Sequence, residues 1–419
     1  MKKILSMVIT CMMILSCFAA VVSADDAEKI PATFLYVATD GSDSASGAAD
    51  APFATLNKAV EAARAIDGTV VVNVKGGEYA LGDTIALTEA DNNLVIRAVP
   101  GEKVVMTGGK KIKFEDFAKE TDEELLKRIV TGNARAKVVT ADLTTLGITE
   151  LGEVANCGFG ITSSYAPSLT YNDRYLTIAP YPNGKDYLYT GVIKDDGSKN
   201  ERTEYNGCYE VKFTVKDSRW KNWADAKDIW AIGWYIYDWA ESITPATIDF
   251  ESGVVSTTSG YNSIVSDRRV KFFNLFEELD EAGEYYIDRE AGKLYMIAPD
   301  GFKAGEYLTF SAHNKDIITL NGCEYITIQG IRFEGTTERG IYGTACKNVV
   351  VDGCELTAIG RDAVKLEEDS RDCVIKNCYI HDIGSSGATV NGGDKLTLTK
   401  GNNAIENCHV ERFMQYKLT

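Results

Sequence analysis

Four eight-residue segments near the carboxyl end limit what this chain can fold into more than any other feature. They are residues 326–333 (ITIQGIRF), 349–356 (VVVDGCEL), 373–380 (CVIKNCYI) and 403–410 (NAIENCHV), with starts 23, 24 and 30 residues apart. Each holds two short alternating apolar runs, parted by a corner at Gly330, Gly353, Asn377 or Asn407. Ile328, Val351, Ile375 and Ile405 fall at one equivalent position, and Ile331, Cys354, Cys378 and Cys408 at another. Cys323 and Cys346 each stand three residues before the first two segments. A period of about 20 to 30 residues built from strand-length runs marks a solenoid. Helical repeats need roughly 33 residues or more and a 3.6-residue apolar period, which is absent here. The leucine-rich frame is absent too, which leaves a parallel β-helix.

In such a coil, like residues stack on like, about 4.8 Å apart. Cys354, Cys378 and Cys408 are therefore expected as a packed apolar ladder, and Asn377 over Asn407 as a corner ladder. Metal binding needs ligands converging on a point, whereas a ladder spreads them along a line, so no metal site is assigned. The stacked cysteines are expected to be reduced, because neighbouring side chains in register rarely present the disulfide torsion near ±90°.

The amino-terminal part continues the pattern. Val70 to Val74, Ile85 to Leu87, Leu94 to Ile96 and Val104 to Met106 read as rungs, with turns at residues 76–79 and 108–109. Ala59, Val60 and Ala63 indicate a short amphipathic helix that caps the coil and blunts its edge strands. The middle breaks the repeat. Residues 114–128 are acidic and helical in character, and residues 283–297 read as a hairpin turning at 289–292. The division expected is a leader at 1–24, a cap and first coils at 34–112, an inserted β-rich module at 115–305, and further coils at 306–419.

Lys2 and Lys3 precede an apolar stretch from Ile4 to Val22, and residues 22–24 (VSA) offer a signal-peptidase cleavage pattern. The protein is thus expected to be secreted or held at the cell surface. A lipid anchor on Cys17 is the alternative, although Leu15 and Phe18 suit a lipobox poorly. Losing the leader takes the net charge from −17 to −19 by removing two lysines. It also takes two of the ten cysteines, leaving Cys157, Cys208 and six in the last hundred residues. With no basic cluster, nucleic acid is a poor partner. No later stretch is long and apolar enough to span a bilayer. A monomer is expected.

All five tryptophans lie between residues 220 and 239. Trp230 and Trp234 alternate with isoleucines as in a buried strand, whereas Trp239, beside Asp238 and Glu241, reads as an exposed rim for stacking a sugar. Acids follow several rungs: Asp352, Asp362, Asp382, Asp394 and Glu411. The most site-like runs are residues 361–365 (RDAVK), residues 391–395 (NGGDK) and His381-Asp382. Asp362 and Asp394 are the candidate catalytic acids, with Arg361, Lys365, His381 and Trp239 as candidate substrate contacts. Paired carboxylates are what glycoside hydrolysis needs. A polysaccharide lyase would instead need a base and charge neutralisation, often by Ca²⁺. No cofactor is called for outside that lyase alternative.

A resemblance sharpens these readings. The opening, Tyr36-Val37 with residues 40–43 (DGSD) and 52–56 (PFATL), resembles secreted right-handed β-helix proteins that act on polysaccharides. Together with the hairpin at 283–297 and the run Gly392-Gly393-Asp394, it is closest in look to bacterial β-helix glycoside hydrolases of the α-fucosidase/xylanase type. Residues 168–183 resemble a hairpin of that group, with Pro180 where the group carries Arg. The polygalacturonase and pectate-lyase signatures are missing. The resemblance implies an all-β, right-handed parallel β-helix with an inserted module and a glycan substrate. It also implies further coils past residue 413 that carry the catalytic carboxylates, so the chain reads as a fragment with little activity of its own. A non-enzymatic glycan-binding surface protein is the remaining alternative.

Overall fold

The computed structural model describes residues 32–154, 156–159, 166–191, 209–261 and 263–415. The leader, Cys17, Cys208 and the last four residues lie outside them. Three parallel sheets of seven, six and five strands run the length of the coil. The first sheet begins at Thr33–Val37 and ends at Ala404–Glu406. The second runs from Gly77–Ala80 to His409–Glu411, and the third from Ile85–Leu87 to Ala388–Val390. The fold is the expected β-helix.

The register shows why the repeat has its period. Ile328, Val351, Ile375 and Ile405 pair in sequence along the first sheet. Phe333, Leu356, Ile380 and Val410 do the same along the second. The first three of each column are fully buried in one core, each worth about 1.5–3 kcal/mol relative to exposure. Between these sheets the chain turns a corner in left-handed backbone at Gly330, Gly353, Asn377 and Asn407. Glycine adopts that conformation freely and asparagine tolerates it, so only these two residues fill the position. The asparagine ladder forms as expected: Asn407 Nδ2 donates to Asn377 Oδ1 at 2.8 Å, and Asn377 Nδ2 to Asp352 Oδ1 at 2.7 Å. The six coil cysteines carry no disulfide.

Helix Leu56–Ala63 starts at Thr55, whose hydroxyl accepts the Lys58 N–H. It buries Leu56, Ala59, Val60 and Ala63 against the first coil. No helix among the described residues is long and apolar enough to cross a membrane.

The chain leaves the second sheet after Thr107 and rejoins the third at Ile318. Between them lies the module, whose strands form four further sheets. Its stem is the antiparallel pair Gly109–Lys113 and Tyr307–Ser311, with Gly109 opposite Ser311. Both strands therefore sit in the module's own sheet rather than in the flanking coils. The expected hairpin is present as Glu284–Asp288 against Lys293–Ile297. The acidic stretch at 114–128 is less helical than it reads, with one five-residue helix, Glu123–Lys127, capped by Asp122. The tryptophan strand is also shorter, covering only Trp230–Gly233. A side chain at Gly233 would strike the Tyr235 ring at 2.2 Å, and Trp234 and Tyr235 are both buried. Trp220, Trp223 and Trp230 are core residues as well.

Candidate active site on the second sheet

The outer face of the second sheet faces the module and gathers charge. Alternation along its strands turns Phe333, Leu356 and Ile380 inward, so their neighbours point out. Register sets Arg332, Glu355, Tyr379 and His409 in one outward column, and Glu334, Thr357, His381 and Glu411 in the next. The module's hairpin Ser168–Tyr171/Arg174–Tyr175 brings Asp173 over this face. Arg332 Nη2 donates to Asp173 Oδ1 at 2.6 Å and Arg332 Nε to Glu334 Oε2 at 2.6 Å, while Nη1 donates to Glu355. One guanidinium thus holds three carboxylates. Burial opposes its charge, but those acids outweigh burial and raise its pKa.

His381 lies behind Glu355 and is only 2% exposed. Its Nε2 is 3.3 Å from Glu355 Oε1, and its Nδ1 is 2.9 Å from Asp382 Oδ2 and 3.3 Å from Thr357 Oγ1. Asp382 sits in left-handed backbone and takes Arg412 Nη2 at 2.7 Å and Nε at 2.9 Å. The result is an alternating chain, Arg332–Glu355–His381–Asp382–Arg412. Burial works against an imidazolium at His381, yet Asp382 and Glu355 prevail and raise its pKa. The His381 contact, ahead of Arg332, holds Glu355 below the usual carboxylate range. Asp382 is also lowered: burial opposes its charge, and His381 and Arg412 overcome it. Tyr379 donates to Glu411 at 2.7 Å, and that contact and Arg412 pull Glu411 down to about 2.

Space flanks this row at both ends. A polar groove of about 340 Å³ runs between Lys103, Asp173, Tyr307, Arg332 and Glu334. A cavity of about 360 Å³ opens in the module, with Ile232, Ile243 and Phe273 as apolar wall and Tyr175, Lys271 and Glu284 as polar groups. Burial lifts Glu284 to about 7, although it accepts the Asp280 and Glu281 N–H groups at 2.8 and 2.9 Å. Burial also lowers the pKa of Lys271, which donates to the Gly184 carbonyl at 2.6 Å.

Of the residues expected from sequence, the row contains His381. Asp362 lies before strand Val364–Glu367 and accepts the Ser386 N–H at 3.2 Å. Asp394 follows strand Ala388–Val390 in an exposed turn, accepting the Leu396 N–H and the Thr397 hydroxyl. Val364 pairs with Ala388 and Leu366 with Val390, so these acids flank opposite ends of the third sheet. The structure does not bring them together. Arg361 pairs with Glu338 at 2.9 Å and Lys365 with Glu367 at 2.9 Å, both away from the acid row. Trp239 stands on the module's surface, 53% exposed. Glu334 and Glu355 went unselected in the sequence, although Glu355 lies inside an aligned segment and Glu334 one residue past the first, each next to a buried ladder residue.

Comparison with known proteins follows this architecture. Residues 305–416 match the model of the right handed beta helix region. No curated protein matches the sequence. A solved structure named "Glycoside hydrolase" is similar over 92% of this chain and 74% of its own, at 15% identity and a TM-score of 0.69. The complex of XylC with xylose aligns with 90% of this chain and 58% of its own, at 12% identity and a TM-score of 0.33. The first likeness is one of fold, and its coverage takes in the inserted module as well as the coils.

Proposed function

We propose that this protein is a glycan-active hydrolase working in the cleft between the module and the second sheet. The observation that carries the reading is the acid pair Glu334 and Glu355, set on adjacent rungs and bridged by Arg332. Both carboxylates contact one guanidinium, which keeps them close neighbours, and a close pair of carboxylates is what glycosidases use. Glu355, held ionised by His381 and Arg332, is suited to be the nucleophile or base. Glu334, on the neighbouring rung, is the second carboxylate that such a reaction needs. His381 and Asp382 position Glu355 rather than touch substrate. Arg332 and Glu334 line the groove, and Glu355 stands directly behind them, held by the same guanidinium. The solved structure named "Glycoside hydrolase" that shares this fold supports a glycan substrate, and the leader expected at 1–24 would fit one met outside the cell.

The test is reducing-sugar release by the purified protein from a panel of glycans, with ultraviolet absorbance of unsaturated ends monitored in parallel. Glu355→Gln should lower turnover by roughly 10²–10⁴-fold with the fold intact. Unsaturated products would replace the hydrolase reading with the lyase one. Wild-type turnover in Glu355→Gln would remove the acid pair from the reaction.

A further inference from the structure

Phe159, Tyr237 and Trp239 are 49%, 45% and 53% exposed, an unusual outlay of aromatic surface in one place. They and Tyr261 form a single cluster. Tyr237 and Trp239 lie nearly parallel, 14° apart with centroids 5.2 Å from each other. Phe159 and Tyr261 are parallel within 3° at 5.5 Å. Phe159 meets Trp239 edge-on at 4.9 Å, and Tyr237 meets Tyr261 edge-on at 5.3 Å. Two stacked pairs thus lock each other into a rigid shelf. At its edge Asp238 is held by Arg268 at 3.1 Å.

We infer that this shelf is a binding surface for a neutral pyranose chain, separate from the acid row and independent of its chemistry. Three observations choose the occupant. Ring faces match the apolar C–H face of a pyranose, and rigid rings cost little ordering on contact. The Tyr237 and Tyr261 hydroxyls and the Trp239 indole N–H make no hydrogen bond within the protein among the described residues. An apolar protein partner would bury those three groups unsatisfied, whereas sugar hydroxyls would satisfy them. The chain's charge of −17 and the Asp238 carboxylate disfavour an acidic glycan. Position supports the same choice. Phe159 is two residues past Cys157, which lines the module cavity, so shelf and cavity are separated by about 7 Å of strand. A chain lying on the shelf would place its next unit at the cavity wall.

The experiment is calorimetric titration of the full chain with soluble xylan, galactomannan and polygalacturonate, the last as the acidic control. At least one neutral polymer should bind. Trp239→Ala and Tyr237→Ala should each weaken that binding roughly tenfold or more. Tyr325→Ala, an exposed ring on the coil, should leave it unchanged, and Glu355→Gln should still bind. The inference is overturned if neither neutral polymer binds, if polygalacturonate binds best, or if Trp239→Ala binds like wild type. Because binding is read without turnover, its failure is distinguishable from failure of the hydrolase reading.

Discussion

Single residues in the cleft are tuned by their neighbours, and the tuning has a sign that can be measured. His381 has a raised pKa, so its stabilising contacts are fully present below the free imidazole's value of about 6.5 and fade as pH rises through the folded value. Glu355 and Asp382 are lowered, so theirs are present above about pH 4 and fade as pH falls through their folded values. The row should therefore contribute most between about pH 4 and 6.5. The melting-temperature difference between wild type and His381→Gln should peak in that window, and a flat difference would count against the charged row. Glu284 runs the other way. Its carboxyl is raised to about 7 by burial, so folding favours its protonated form and stability declines as pH climbs from about 4.5 to 7. Glu284→Gln should remove that slope, gaining on the order of 2–3 kcal/mol at pH 8 relative to its effect at pH 4. Equal effects at both pH values would show that the carboxyl is ionised throughout.

At the scale of strands and ladders, burial alone decides what repeats, which is why the coils were legible. Inward residues recur because each must fill the space under the last, as Leu356 and Ile380 do beneath Phe333. The same logic keeps Cys354 and Cys378 buried and reduced. Titration of the unfolded protein without reductant should count at least the six coil thiols and Cys157, and a count near zero would mean that the ladder is crosslinked. Outward residues obey no such rule. Arg332, Glu355, Tyr379 and His409 share a column yet have no chemistry in common, so the alignment fixes their place without marking it as a site. Asp362 and Asp394 stood out because acids beside cations at turns look functional. Asp394 holds its own turn and Asp362 accepts the Ser386 N–H of the next rung, tasks that favour the same residue types. The module resisted reading for another reason. Its strands pair across long sequence separations, such as Ser168 with Ser311, and such pairings leave no periodic trace. The tryptophan alternation marked Trp230 and Trp234 as buried but not where the strand ends, because the chain bends after Gly233.

For the whole molecule, the cleft exists only because one chain passes through two folding units. The coil supplies Arg332, Glu334, Glu355 and His381, and the module supplies Asp173 and the cavity beside Tyr175. The two units are joined by a narrow stem in which Lys111 stands opposite Thr309. A two-residue Asn-Gly turn closes such a pair without splaying the strands. Replacing residues 112–308 by Asn-Gly should therefore leave the three parallel sheets continuous, since no rung is lost between Thr107 and Ile318. The face newly exposed on the second sheet is largely charged, so its uncovering should cost little hydrophobic burial. We expect the excised protein to keep a β-rich circular dichroism spectrum and a cooperative melt. Its glycan turnover should fall to background, because the groove has lost its Asp173 wall and the acids stand in open water, which weakens every electrostatic contact they make and holds no sugar in register. An excised coil that melts without cooperativity would make the module part of the coil's stability, and one that still turns over glycan would place the reaction on the coil alone.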